Sequence, residues 1–138
     1  MKKFSVNPIN DEKILIPSVL DDKTQIDDFL YNNNDKKVIV VQGLGFVGAV
    51  MSLVCANSFS EEYAVIGVDL ANQDNYWKID SINKGIFPII ASDPKIDIFF
   101  KRSVEKKNFY ATYDPYAYSK ADFIIVDINL DVQKETDS

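Results

Sequence analysis

The chain has 138 residues, 46% of them apolar and 12% aromatic, enough to bury one core of ordinary domain size. Its 15 basic and 21 acidic residues leave a net charge of −6, which opposes binding a polyanion except through a localised basic patch. A single cysteine, Cys55, permits no internal disulfide, and the absence of histidine removes the commonest general base and metal ligand. These features fit a reducing, cytoplasmic compartment and no metal site.

Met1-Lys-Lys resembles the start of an export signal, but Asn7, Pro8 and Asn10 interrupt the apolar run that such a signal needs. Residues 1–36 read as an N-terminal extension, punctuated by Pro8, Pro17 and Asn32-Asn33-Asn34-Asp35. Within it Thr24 is placed to cap a short helix, whose Ile26, Phe29 and Leu30 form one apolar stripe for docking on the domain.

From Lys37 the pattern becomes regular, and residues 37–138 are read as one domain. Val38-Ile-Val-Val is a continuous apolar strand. After a glycine-rich turn, Val47, Val50, Met51, Val54 and Cys55 recur at helical spacing and are expected to face inward, which gives Cys55 an inert packing role. Val38 to Ser60 is 23 residues without a charge, long enough to span a membrane. The β-branched opening, three glycines within six positions and the polar end Asn57-Ser58-Phe59-Ser60 favour a strand, a turn and a helix, so no membrane partner is expected.

Tyr63 to Asp69 is a second buried strand, and a helix over about 74–84 should stop at Gly85. Pro88 and Pro94 mark an extended connection. Residues 96–107 then form a helix, 109–113 a third strand, 115–120 a short helix and 122–127 a fourth strand. The basic cluster Lys101, Arg102, Lys106 and Lys107 is interrupted by Glu105 and reads as a solvated helix face, so nucleic acid is discarded as a partner. Continuous apolar strands joined by helices imply an α/β fold, a Rossmann-type doubly wound parallel sheet in the order 3-2-1-4.

The chemistry concentrates in Gly43-Leu44-Gly45-Phe46-Val47-Gly48. The first glycine permits a tight turn, the second lets backbone approach a pyrophosphate, and the third lets the helix lie close to the strand. Glycines also serve turns in proteins that bind nothing, but here the motif follows an apolar strand, opens a helix, and is followed by Asp69 at the end of the next strand. A carboxylate there accepts hydrogen bonds from both ribose hydroxyls and repels a 2′-phosphate, which selects NAD over NADP.

Several blocks resemble, in order, the N-terminal domain of the UDP-glucose, GDP-mannose and UDP-N-acetylmannosamine dehydrogenases. They are Gln42 to Gly48, Val65 to Asp69, Trp77 to Pro88, Ala111-Thr-Tyr-Asp114 and Ala121 to Val126. The resemblance implies oxidation of a nucleotide sugar's C6 alcohol through a thioester to the carboxylate, with two NAD consumed in succession, in polysaccharide biosynthesis. It also implies a homo-oligomer.

Residue by residue, it assigns Gly43, Leu44, Gly45, Phe46, Val47 and Gly48 to the pyrophosphate loop and Asp69 to the ribose. Lys78 would reach the adenosine side, and Thr112 would lie near the cofactor. The spacing from Asp69 to Lys78 is a few residues longer than is usual in the family. Where the family carries Pro-Thr-Pro, this chain reads Asn129-Leu-Asp131, so Leu130 falls on the family's threonine. The family's catalytic thiol belongs to a later domain and no catalytic residue is assigned here. A stand-alone NAD-binding regulatory module, or the cofactor domain of another Rossmann oxidoreductase, remain the alternatives.

Overall fold

The computed structural model describes residues 2–90 and 92–127. Four parallel strands form the main sheet: β3 (Lys37–Gln42), β4 (Tyr63–Val68), β5 (Phe109–Thr112) and β6 (Phe123–Val126). Their order is β5-β4-β3-β6, the expected 3-2-1-4, with Val40 opposite both Ile66 and Ile124 and with Ile66 opposite Tyr110. The alternation of a strand explains how this sheet is covered on both sides. Ile39, Val41 and Val65 face one layer with Ala56, whereas Val40, Ile66 and Val68 face another with Ile26 and Ala117.

The first layer consists of α2 (Phe46–Ala56), α3 (Tyr76–Asn83) and α4 (Pro94–Lys106). Leu44, Leu53, Ile79, Ile82, Phe100 and Ala111 form its core. Helix α3 stops as expected before Gly85, whose φ is +82°. Helix α4 starts two residues earlier than its apolar pattern indicated, because Asp93 caps it by accepting the N–H of Lys95 at 3.0 Å and Pro94 supplies a preset first turn.

The inward stripe expected of α2 is corrected by the structure. Gly48, Ala49, Ser52, Leu53 and Ala56 are the buried positions, while Val47, Met51 and Val54 are exposed. The reason is distance: a face of small residues lets the helix lie close on the sheet, and that gain outweighs burying the larger side chains opposite. Cys55 is half-buried on the wall of an apolar groove of about 720 Å³, beside Val54, Phe99 and Phe123. Burial pushes its thiol up, away from the nucleophilic thiolate.

The second layer comes largely from the extension. Helix α1 (Lys23–Tyr31) lays Ile26 into the sheet with Phe29 and Leu30 at its margin, next to the 3₁₀ helix Pro115–Lys120. The expected stripe is present, but Asp22, not Thr24, is the capping position, and it makes no side-chain cap bond. Its carboxylate is used elsewhere: Oδ2 accepts the hydroxyls of Tyr110 and Thr112, both at 2.6 Å. The Asp22 N–H donates to Oδ2 of Asp114 at 2.9 Å.

Ahead of α1, β1 (Phe4–Val6) and β2 (Lys13–Leu15) pair as an antiparallel hairpin that the sequence pattern did not reveal. Ser5, buried in it, donates its hydroxyl to the carbonyl of Gln73 at 2.7 Å and accepts the N–H of Trp77 at 3.0 Å. The extension is thereby fastened to β5 and to the connection between β4 and α3. No helix among the described residues is long and apolar enough to cross a membrane; the uncharged run from Val38 is divided among β3, the glycine turn and α2.

Candidate dinucleotide site

β3 ends at Gln42, and the backbone must reverse at once for α2 to lie back over the sheet. Gly43 makes that reversal at φ +100°, a conformation that a side chain would strain, and its N–H donates to the Val68 carbonyl at 2.8 Å. Gly48 serves a steric need, since a β-carbon there would overlap the carbonyl oxygen of Gly43. Gly45 differs from both: a β-carbon there would meet nothing within 4 Å, so the space beside it is open to a ligand.

Leu44, between them, is fully buried, and its side chain fills the room left by Gly67 on β4. Its contribution to the turn's exposed surface is therefore nil, although its N–H donates to Oδ2 of Asp69 at 2.8 Å. The second carboxylate oxygen of Asp69 accepts the N–H of Leu70 at 2.8 Å. Each carboxylate oxygen retains a lone pair, so this anchoring still leaves Asp69 able to accept from a diol.

Across β3, at the carboxyl end of β6, a second aspartate does the corresponding thing. The Asp127 N–H donates to the Gln42 carbonyl at 3.0 Å, and its Oδ2 accepts the N–H of Gly48 at 3.0 Å. Among the described residues, the N–H groups of Gly45, Phe46 and Val47 have no acceptor. They stand together at the start of α2, where the helix dipole favours an anion.

The adjoining cleft, about 490 Å³, is lined by Gln42, Gly43, Asp69, Tyr113, Tyr118 and Asp127 among others. It opens at the carboxyl ends of β3, β4 and β6, where the strand order reverses, the position at which open α/β sheets bind ligands. Burial, then the charge of Asp69, pushes the phenol of Tyr118 up; burial, then Asp22, does the same for Tyr113. Both tyrosines therefore keep their protons and present neutral aromatic walls. Among the described residues no group of three or more His, Cys, Asp or Glu is arranged to hold a metal ion.

Two residues singled out from sequence lie elsewhere. Thr112 is 0% exposed, and its hydroxyl is committed to Asp22, so the structure does not bring it into the cleft. Lys78 is on α3 with its Nζ bonded to Oδ1 of Asn75 at 2.9 Å, and it too is absent from the cleft wall. The longer spacing before it is taken up by a turn in which Oδ1 of Asn72 accepts the N–H groups of Asp74 and Asn75. Leu130 falls outside the described residues. Sequence reasoning assigned Asp127 no role, although its signal was present: an acid directly after an apolar strand, as Asp69 follows β4.

A glycine turn between a central parallel strand and a helix, free amides at the helix start and an acid ending the next strand define a dinucleotide-binding domain of Rossmann type. Residues 36–137 match the model of the UDP-glucose/GDP-mannose dehydrogenase family, NAD binding domain, and the chain belongs to that family. Its cofactor is NAD. The open space at Gly45 and the three free amides fit a pyrophosphate.

Among solved structures, the chain is similar to an NDP-N-acetyl-D-galactosaminuronic acid dehydrogenase from Methanosarcina mazei Go1, with a TM-score of 0.61 and 24% identity over 75% of this chain and 22% of that one. This likeness supports the fold. It is also similar to a UDP-D-ManNAc dehydrogenase from Pyrococcus horikoshii, with a TM-score of 0.55 and 26% identity over 66% of this chain and 20% of that one. The chain thus spans about a fifth of the length of these structures. No curated protein matches it.

Proposed function

We propose that residues 37–138 are the cofactor domain of a nucleotide-sugar dehydrogenase, preceded by an extension over 1–36. In this reading the enzyme oxidises the C6 alcohol of a UDP- or GDP-sugar to the uronate with two NAD, in cytoplasmic polysaccharide biosynthesis and as a homo-oligomer. The observation that carries it is the set of free amides at Gly45, Phe46 and Val47 beside Asp69, in a domain of this family. NAD, when bound, supplies the hydride acceptor.

The chain's own residues have the following parts. The amides of Gly45, Phe46 and Val47 hold the pyrophosphate, with Gly43 and Gly48 keeping the turn tight enough to aim them. Asp69 accepts from the adenosine ribose while its bonds to Leu44 and Leu70 hold it in place. Tyr113 and Tyr118 exclude water from the same cleft. The roles of Lys78 and Thr112 implied by the resemblance would require them to turn toward the cofactor from their present partners. The thiol that the resemblance implies for the sugar's oxidation is not assigned to Cys55.

Titration of the protein with NADH, followed by nicotinamide fluorescence, tests the reading. Saturable binding that Asp69→Ala weakens by about tenfold or more is expected, since two charge-assisted hydrogen bonds are lost. Equal affinity for NADPH, or no binding at millimolar NADH, would sink it.

A further inference from the structure

Two carboxylates, Asp69 and Asp127, flank the glycine turn, and the cleft wall between them contains no Lys or Arg among the described residues. Asp69 has the ribose role proposed above. Asp127 is different, because its Oδ2 accepts from Gly48, the third residue of α2, which is one of the amides that a helix start offers to an anion. It also touches the turn from below: a β-carbon on Gly43 would stand 3.2 Å from the Asp127 carbonyl oxygen, and one on Gly48 would stand 3.1 Å from its Oδ2. The carboxylate is therefore fixed against the turn by β6, one residue along from the amides left for the pyrophosphate.

We propose that Asp127 is an affinity-setting residue of the cofactor site: it caps α2 and keeps the turn ordered while the cofactor is away, and its charge loosens the hold on the pyrophosphate when the cofactor is present. The inference rests on the NAD reading above. Ordering and repulsion are separable consequences of the one hydrogen bond. Ordering requires only an acceptor oxygen at that position, whereas repulsion requires the charge.

A carboxylate held beside a pyrophosphate at the edge of a cleft repels it enough to change an affinity by about tenfold, with water and salt reducing the effect. Among the described residues no cation on the cleft wall offsets it. A site of this kind holds its dinucleotide briefly, which suits an enzyme that must exchange spent NADH for fresh NAD between two oxidations.

Asp127→Asn separates the two effects, since an amide oxygen can still accept from Gly48 while the charge is gone. NADH is expected to bind Asp127→Asn about tenfold more tightly than the parent, and to dissociate more slowly in stopped flow. Affinity of the parent should rise as sodium chloride increases from low to moderate concentration, and that slope should flatten in the variant. Weaker binding to Asp127→Asn would overturn the proposal and mark Asp127 as a direct acceptor of the dinucleotide.

If the variant fails to fold, the parent's salt dependence still decides. Affinity that falls with salt, or does not change, refutes repulsion. Failure of every form to bind NADH, the parent and Asp127→Asn alike, would strike the NAD reading itself; normal binding with no difference between them would strike only the role of Asp127.

Discussion

The glycine turn and the N-terminal extension both organise the carboxyl edge of the sheet, but by different physics. The turn works through backbone and absent side chains over six consecutive residues: Gly43 reverses the chain, Gly48 lets α2 close on it, and Gly45 leaves the approach open. The extension works through polar side chains that find partners far away in sequence. Ser5 bridges Gln73 and Trp77, and Asp22 collects the hydroxyls of Tyr110 and Thr112. A local steric rule leaves little choice of residue, whereas a distant hydrogen bond depends on a meeting that only the folded chain creates.

The sharpest way to break this comparison is at the turn. Gly48→Val should destabilise by about 3 kcal/mol or more in urea unfolding, because the added side chain meets a backbone carbonyl that has nowhere to move. Gly45→Ala should change stability by less than about 0.5 kcal/mol while weakening NADH binding, since its β-carbon occupies only the ligand's approach. A tolerated Gly48→Val would show that the turn is not under the constraint claimed for it.

The extension's counterpart is Asp22→Ala, expected to cost about 2–3 kcal/mol by stranding the buried hydroxyl of Thr112 and the half-buried one of Tyr110. Thr112→Val in the same background should then cost less than it does alone, a coupling that a double-mutant cycle measures. Additive losses would mean that the two residues do not share a network.

Ser5→Ala is a smaller perturbation, about 1 kcal/mol, and its mark should be local. Amide exchange should quicken at Trp77, whose N–H loses its acceptor, and remain unchanged at Leu44. Quickening at both would mean that the extension and the turn are one cooperative unit.

The mildest effect is alkaline. Burial, followed by the hydrogen bond to Asp22, raises the Tyr110 phenol far above its ordinary value, so the folded chain retains a proton that the unfolded chain releases above about pH 10. Stability from this source is complete below that pH and declines as the pH rises beyond it. Tyr110→Phe should flatten the decline in a denaturation series from pH 9 to 11; an unchanged slope would remove Tyr110 from the account.

Most of the domain was legible because its signals are local. Apolar runs at Val38, Tyr63, Phe109 and Phe123 announced the four strands, and Gly85 announced the end of α3. The facing of α2 was misread because hydrophobic spacing ranks Val47, Met51 and Val54 above Gly48, Ala49 and Ser52, while close packing ranks them in reverse. The hairpin of Phe4–Val6 with Lys13–Leu15 escaped notice because three-residue strands carry almost no periodicity. Thr112 was drawn toward the cofactor by the family resemblance of Ala111-Thr-Tyr-Asp114, yet Asp22, ninety residues earlier, claims its hydroxyl. Asp127 was visible as a letter and silent as a partner until β6 was seen beside β3.

Leu44 and Gly67 couple the turn to the sheet interior. The leucine of the cofactor turn is seated in the space where β4 lacks a side chain, so neither position is free to change by itself. A larger residue at 67 requires a smaller one at 44, and a smaller residue at 44 leaves a void against the strand. The pair is a single packing unit written in two places, and it ties the shape of a binding turn to that of an interior strand.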